Sequence, residues 1–179
     1  MMVYIFLADG FEEIEALAPL DIMRRADIDV KTVGVTGEWV TGAHGITVKA
    51  DILPADVNYE NLDCVILPGG LPGTTNLEKD ERVQSAIDYA NDNKKLICAI
   101  CAAPSILGHK GLLDGREATC YPGFEDSFNG GIYVKKSVVK SDNFITSNGM
   151  GSAYKFGFEI TAALTSWEVA DKIKAQIQE

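Results

Sequence analysis

Three short runs of unbroken apolar residues, Val3–Ala8, Cys64–Leu67 and Leu96–Ile100, constrain this chain more than any other feature. A strand with one wet face alternates apolar and polar residues. These runs do not, so each is predicted to be a strand covered on both faces. Between and after them lie stretches of helical periodicity: Glu12–Ala26, Glu81–Asn93, Ser152–Leu164 and Trp167–Gln178, the last with Ser166 as N-cap. Buried strands alternating with helices predict an α/β sandwich around a mostly parallel sheet. Asp29–Val35 supplies a further strand. Gly37 then turns the chain into short strands around Trp39–Thr41 and Ile46–Leu53, an antiparallel excursion. Arg116–Ser147 holds more short strands, with turns at Asn129-Gly130-Gly131 and Asp142-Asn143. No repeat, low-complexity tract or linker breaks the pattern, so residues 1–179 are expected to form one domain.

The net charge of −10 and the pI near 4.6 argue against nucleic acid and anionic membrane as partners. Val3–Ala8 is too short for a membrane span or a signal-peptide core and lacks a basic flank, so a cytoplasmic location is expected. In that setting Cys64, Cys98, Cys101 and Cys120 are expected to be thiols.

Open parallel sheets bind ligands beyond the carboxyl ends of their strands. Three loops leave those ends here: Asp9–Glu15, Pro68–Gly73 and Cys101–Pro104. Cys101 stands where an apolar strand stops and a helix is predicted to begin, near Ala102–Pro104. A thiol there looks into the positive end of a helix, which favours thiolate. A buried cysteine packing as a small hydrophobe fits the same residues. On the first helix the apolar stripe is read as Phe11, Ile14, Ala18 and Ile22. Glu12 and Glu13 fall off it and are expected to be solvated first-turn acids. Glu15 falls within it, and a core-facing carboxylate must be protonated or hydrogen-bonded. The bland reading is that its stem bends to solvent. Leu67-Pro68-Gly69-Gly70 places bare backbone amides at a strand end, suited to an oxyanion or simply to a turn. Cys98 and Cys101 form C-x-x-C, but an odd spacing along a strand aims them to opposite faces. Without a second such pair, and with only His44 and His109 as histidines, no metal site is expected.

Together these residues resemble the ThiJ/PfpI superfamily, in the branch of the Parkinson-disease-associated protein deglycase and its bacterial homologues. The specific pieces are Leu7-Ala8-Asp9-Gly10-Phe11-Glu12-Glu13-Ile14-Glu15, Asp21-Ile22-Met23-Arg24-Arg25-Ala26, Leu67-Pro68-Gly69-Gly70 and Ala99-Ile100-Cys101-Ala102-Ala103-Pro104. Asn129-Gly130-Gly131 and Thr146-Ser147-Asn148-Gly149-Met150-Gly151 match weaker motifs. The resemblance implies a flavodoxin-like three-layer sandwich and a homodimer. It puts Cys101 at the family's reactive cysteine, Glu15 at its protonated glutamate, and Gly69, Gly70 and Ala102 at the backbone donors around the thiol. Arg25, Tyr121 and His44 are accessory candidates. Two departures stand out. Protease-like members carry a histidine where this chain has Ala102, which speaks against peptidase activity. The closest branch has a histidine where this chain has Tyr121, so a general base must come from Glu15 or from a second subunit, with His44 as a candidate. The implied function is a stress-response protein acting on reactive carbonyls without metal or organic cofactor. It would be a glutathione-independent glyoxalase or a protein deglycase, with a small aldehyde or a glycated protein as substrate. The competing expectation is a non-enzymatic redox sensor or chaperone, switched by oxidation of Cys101 to sulfinate.

Overall fold

The computed structural model describes all residues, Met1–Glu179. Its sheet has six strands in the order β2-β1-β5-β6-β10-β9: β1 (Met2–Leu7), β2 (Asp29–Gly34), β5 (Leu62–Leu67), β6 (Leu96–Ile100), β9 (Val138–Ser141) and β10 (Phe144–Ser147). All neighbours are parallel except β9, which pairs antiparallel with β10 at one edge. The antiparallel excursion is a separate two-stranded ribbon of β3 (Trp39–Thr41) and β4 (Thr47–Lys49), and β7 (Glu117–Ala118) pairs with β8 (Ile132–Tyr133) in another small ribbon. At the far edge the chain beyond β4 closes onto β2 through a Val33–Ile52 bridge.

The apolar runs fill both sides of the sheet because successive side chains alternate faces. Val3, Ile5, Leu7, Cys64, Ile66, Cys98, Ile100 and Ile145 look one way. There they meet Ala16, Leu20 and Met23 of α1 (Glu13–Arg25) and Ala153, Phe156 and Ile160 of α5 (Ala153–Leu164). Tyr4, Phe6, Val65, Leu67, Ile97 and Ala99 look the other way. They are covered by α2 (Gly73–Lys79), α3 (Glu81–Asp92) and α4 (Pro104–His109). The last helix, α6 (Trp167–Ile177), sets Ala170 and Ile173 against Ile22 and Phe158. No helix is long and apolar enough to cross a membrane.

Residues 73–79 form α2, a short helix that the sequence pattern does not single out. The helix after Cys101 starts at Pro104, within the expected Ala102–Pro104 range. One local expectation is corrected. The buried face of α1 is rotated from the expected stripe: Ile14 is 42% exposed, whereas Glu12 and Glu13 are 9% and 2% exposed. The rotation has a physical cause in the β3–β4 turn, which lies over the start of α1. Glu13 Oε1 accepts the amides of His44 (2.8 Å) and Ile46 (3.3 Å), and its Oε2 lies 3.0 Å from His44 Nδ1.

Candidate active site

Four neighbouring parallel strands, β1, β5, β6 and β10, end side by side, and the loops that leave them converge. The centre is Cys101. Its backbone takes a left-handed conformation, φ +64°, costing about 1–3 kcal/mol for a residue with a Cβ. Neighbours hold it there. Its N–H donates to Ser147 O (2.9 Å), and its carbonyl accepts the Tyr121 N–H (2.8 Å). This turn occupies Cys101–Ala103, which is why α4 begins at Pro104. It also directs the side chain toward the loop after β5 instead of along the sheet.

Glu15 meets it from α1 and is fully buried. Its Oε2 accepts the Gly69 N–H at 3.0 Å, while Oε1 has no hydrogen-bond partner. A Cβ on Gly69 would sit 2.6 Å from both Cys101 Cβ and Glu15 Oε2, so only glycine lets the two groups close in on one another. Gly70 follows at φ +87°, where a side chain would strike Glu12 N and Gly10 O. The Gly69 amide is thus engaged with the glutamate. The Ala102 and Gly70 N–H groups hydrogen-bond to the sulfur and act to lower its pKa.

Burial pushes the Glu15 carboxyl up to about 7, against hydrogen bonds from Cys101 and Gly69 that favour its charge. Burial, then the charge and hydrogen bond of an ionised Glu15, pushes the Cys101 thiol up to about 12. These values describe a coupled pair that loses its first proton near neutrality and its second only in strong base. The helix-end expectation of a lowered thiol pKa is therefore outweighed by burial and by the neighbouring carboxylate. Between the two ionisations one proton serves both groups, on the oxygen or on the sulfur.

The other cysteines are fully buried. Cys98 faces Cys64, with Sγ atoms 3.8 Å apart, rather than Cys101. Burial also drives the Cys120 thiol up to about 12.

The accessory candidates divide. Tyr121 belongs to the site: a Cβ on Gly149 would lie 3.4 Å from its ring and 4.0 Å from Glu15 Oε1, so both border one space. Arg25 does not reach it. It sits at the far end of α1, paired with Asp21 at 2.6 Å. His44, 31 residues further along the chain, pairs with Glu13, its Nδ1 lying 3.0 Å from Glu13 Oε2. Glu12, Glu13 and His44 each bring a ligand-type atom within 4.8 Å of the others. Both Glu13 oxygens already face N–H groups or the imidazole, the arrangement of an ion pair. Sequence reading missed Glu12 and Glu13 because their burial depends on a turn some thirty residues away. It also missed the end of β10 at Ser147 and the loop after it, which carries Gly149. The Ser147-Asn148-Gly149 stretch was visible as a motif but not as a strand end.

A parallel α/β sandwich that holds a cysteine in a strained elbow beside a buried glutamate defines a class of proteins built around one thiol. The model of the DJ-1/PfpI family matches residues 1–163. The chain belongs to that family. It is 36% identical to the Parkinson disease protein 7 homolog of Danio rerio, over 97% of this chain and 94% of that one. It is 31% identical to a deglycase of Pyrococcus abyssi, over 92% of this chain and 99% of that one. Among solved structures, oxidised DJ-1 of Toxoplasma gondii superposes with a TM-score of 0.94 at 36% identity, covering 99% of this chain and 97% of that one.

Proposed function

We propose that this protein is a cysteine-dependent stress-response enzyme that converts small reactive carbonyls, 2-oxoaldehydes such as methylglyoxal, into 2-hydroxy acids. The observation that carries the reading is the fully buried Glu15 carboxyl, which closes on the Cys101 side chain across Gly69 opposite backbone N–H donors. The working form places the pair's one proton on Glu15 and leaves sulfur as thiolate. The sulfur adds to the aldehyde carbon, the carbonyl π pair moves to oxygen, and Glu15 protonates that oxygen while the Gly70 and Ala102 amides stabilise it. The Glu15 carboxylate then removes the hydrogen from the same carbon, giving an enediolate; the hydroxyl proton moves from the first oxygen to the second, and Glu15 returns the abstracted proton to the adjacent carbon. The result is a 2-hydroxyacyl thioester. Water cleaves it, the thiolate leaves, and the sum is oxoaldehyde plus water to hydroxy-acid anion plus one proton. The oxidation of one carbon balances the reduction of its neighbour, so the chemistry requires no external oxidant. Attack of the same thiolate on the carbinol carbon of an early adduct, breaking its bond to the protein's amine, thiol or guanidine, which leaves with a proton, would give deglycation, in keeping with the deglycase name of the Pyrococcus relative.

A second reading rests on Cys101 being the only thiol that is not fully buried. Peroxide would oxidise it to sulfinate, to which a protonated Glu15 can donate, and the oxidised form would act as a redox signal. Lactate formation from methylglyoxal by pure protein, with Cys101→Ser as control, decides between them. Turnover that disappears in the variant supports the enzyme. No turnover in the parent removes it and leaves the sensor.

A further inference from the structure

The reaction above releases one proton per turnover inside a site whose acid–base residue has no exposure to water. That proton has to leave. Glu12 and Glu15 occupy the N-cap and N3 positions of α1, neighbours on one helix face. Gly69 ties them further, because its carbonyl accepts the Glu12 N–H at 2.9 Å while its N–H donates to Glu15 Oε2. Glu12 as a whole residue is 9% exposed, and its buried Oε2 has no hydrogen-bond partner, as Glu15 Oε1 has none. On its other side a Glu12 oxygen comes within 4.8 Å of Glu13 and His44. Glu13 is held rigidly by the β3–β4 turn and fixes the imidazole through Nδ1, and the His44 side chain is 72% exposed.

We propose that Glu12 and His44 form a proton route from Glu15 to solvent, with Glu13 as the positioning residue that orients the imidazole. This rests on the carbonyl-converting reading. Glu15 passes the surplus proton to Glu12. His44 keeps its Nδ1 proton hydrogen-bonded to Glu13, releases the Nε2 proton to bulk buffer, and takes the Glu12 proton in its place on Nε2. The loop at residues 68–73, packed on the same helix end, brings no titratable side chain. Asp9 is turned toward the Thr41 amide at 2.8 Å. Glu12 is therefore the carboxyl that links the buried pair to the Glu13–His44 pair at the surface.

The test is steady-state conversion of methylglyoxal by parent, Glu12→Gln, Glu12→Asp and His44→Gln at low and high concentrations of a small buffer such as imidazole. In dilute buffer Glu12→Gln should lower kcat by about tenfold or more, with KM and the rate of Cys101 alkylation unchanged. His44→Gln should give a smaller loss. Both should recover as buffer rises, and Glu12→Asp, which keeps an ionisable group, should lose less. Parent-like kcat in both variants, or a loss in Glu12→Gln that buffer does not restore, overturns the route while leaving the chemistry at Cys101 intact. An inert parent overturns the carbonyl reading and the route with it.

Discussion

At the scale of single residues, Cys101 and Glu15 act as one titrating unit, and substitutions separate its parts. Cys101 is expected to take up limiting iodoacetamide first, because Cys64, Cys98 and Cys120 have no exposure. Peptide mass mapping checks this, and earlier labelling of any other cysteine refutes it. Alkylation in the parent should rise through about pH 7, as the pair gives up its first proton, and Glu15→Leu should lose that step. Glu15→Gln keeps a hydrogen-bond donor but cannot exchange protons, so turnover should fall far more than alkylation. The glutamate also carries a stability cost. It titrates near its ordinary 4.5 when unfolded and about 7 when folded. Between those values the native state holds a proton that the unfolded chain has released, so stability falls as pH rises through the window. At about 1.36 kcal/mol per unit this amounts to roughly 3 kcal/mol above neutrality. Glu15→Gln should therefore be more stable than the parent at pH 8 by that order and equal to it near pH 4. Urea unfolding at both pH values measures the difference, and equal stability at pH 8 would show that the carboxyl is not buried as described.

At the scale of elements, local grammar was readable where local forces decide. The strands around the site were plain because both faces are covered, and the cysteine was plain because a strand breaks off at it. Asp80 shows the same logic at a helix start: its side chain accepts the Arg82 and Val83 amides at 2.9 and 3.2 Å, capping α3. Asp80→Ala is expected to cost about 1 kcal/mol, readable as a lowered urea midpoint with unchanged slope. Reading failed where distant parts decide. The periodicity of α1 put Ile14 inside and Glu13 outside, and the β3–β4 turn reverses both by supplying amides that no window of eleven residues contains. Residues 73–79 contain two adjacent threonines after Pro72-Gly73, weak helix formers, and they become helical by placing Leu77 in the core beneath the sheet. Glu15 is buried as the periodicity expects, although the stripe it is read from has the wrong phase. Its burial survives because it lies one turn before Pro19 and two before Ile22, which are truly inside.

At the scale of the whole molecule, a homodimer is the expectation from family resemblance, and light scattering should give twice 19.3 kDa at micromolar concentration. Each chain carries a charge of −10, so joining two is opposed by repulsion that salt screens. Dimerisation should strengthen between low and physiological ionic strength, and a monomer mass at both would refute it. How copies do not join is set by the sheet's margins. Along β2 the Thr32 amide and hydroxyl are taken up by Asp51, and Gly34 N–H donates to Ile52 O. At the opposite margin β9 is only four residues long and carries Lys140. A chain whose central strands are solidly apolar would be a template for fibril growth if its borders were long and bare. Here the borders are closed by a bridge on one side and by brevity and charge on the other, so the chain can carry such sticky strands through synthesis and folding without recruiting its neighbours.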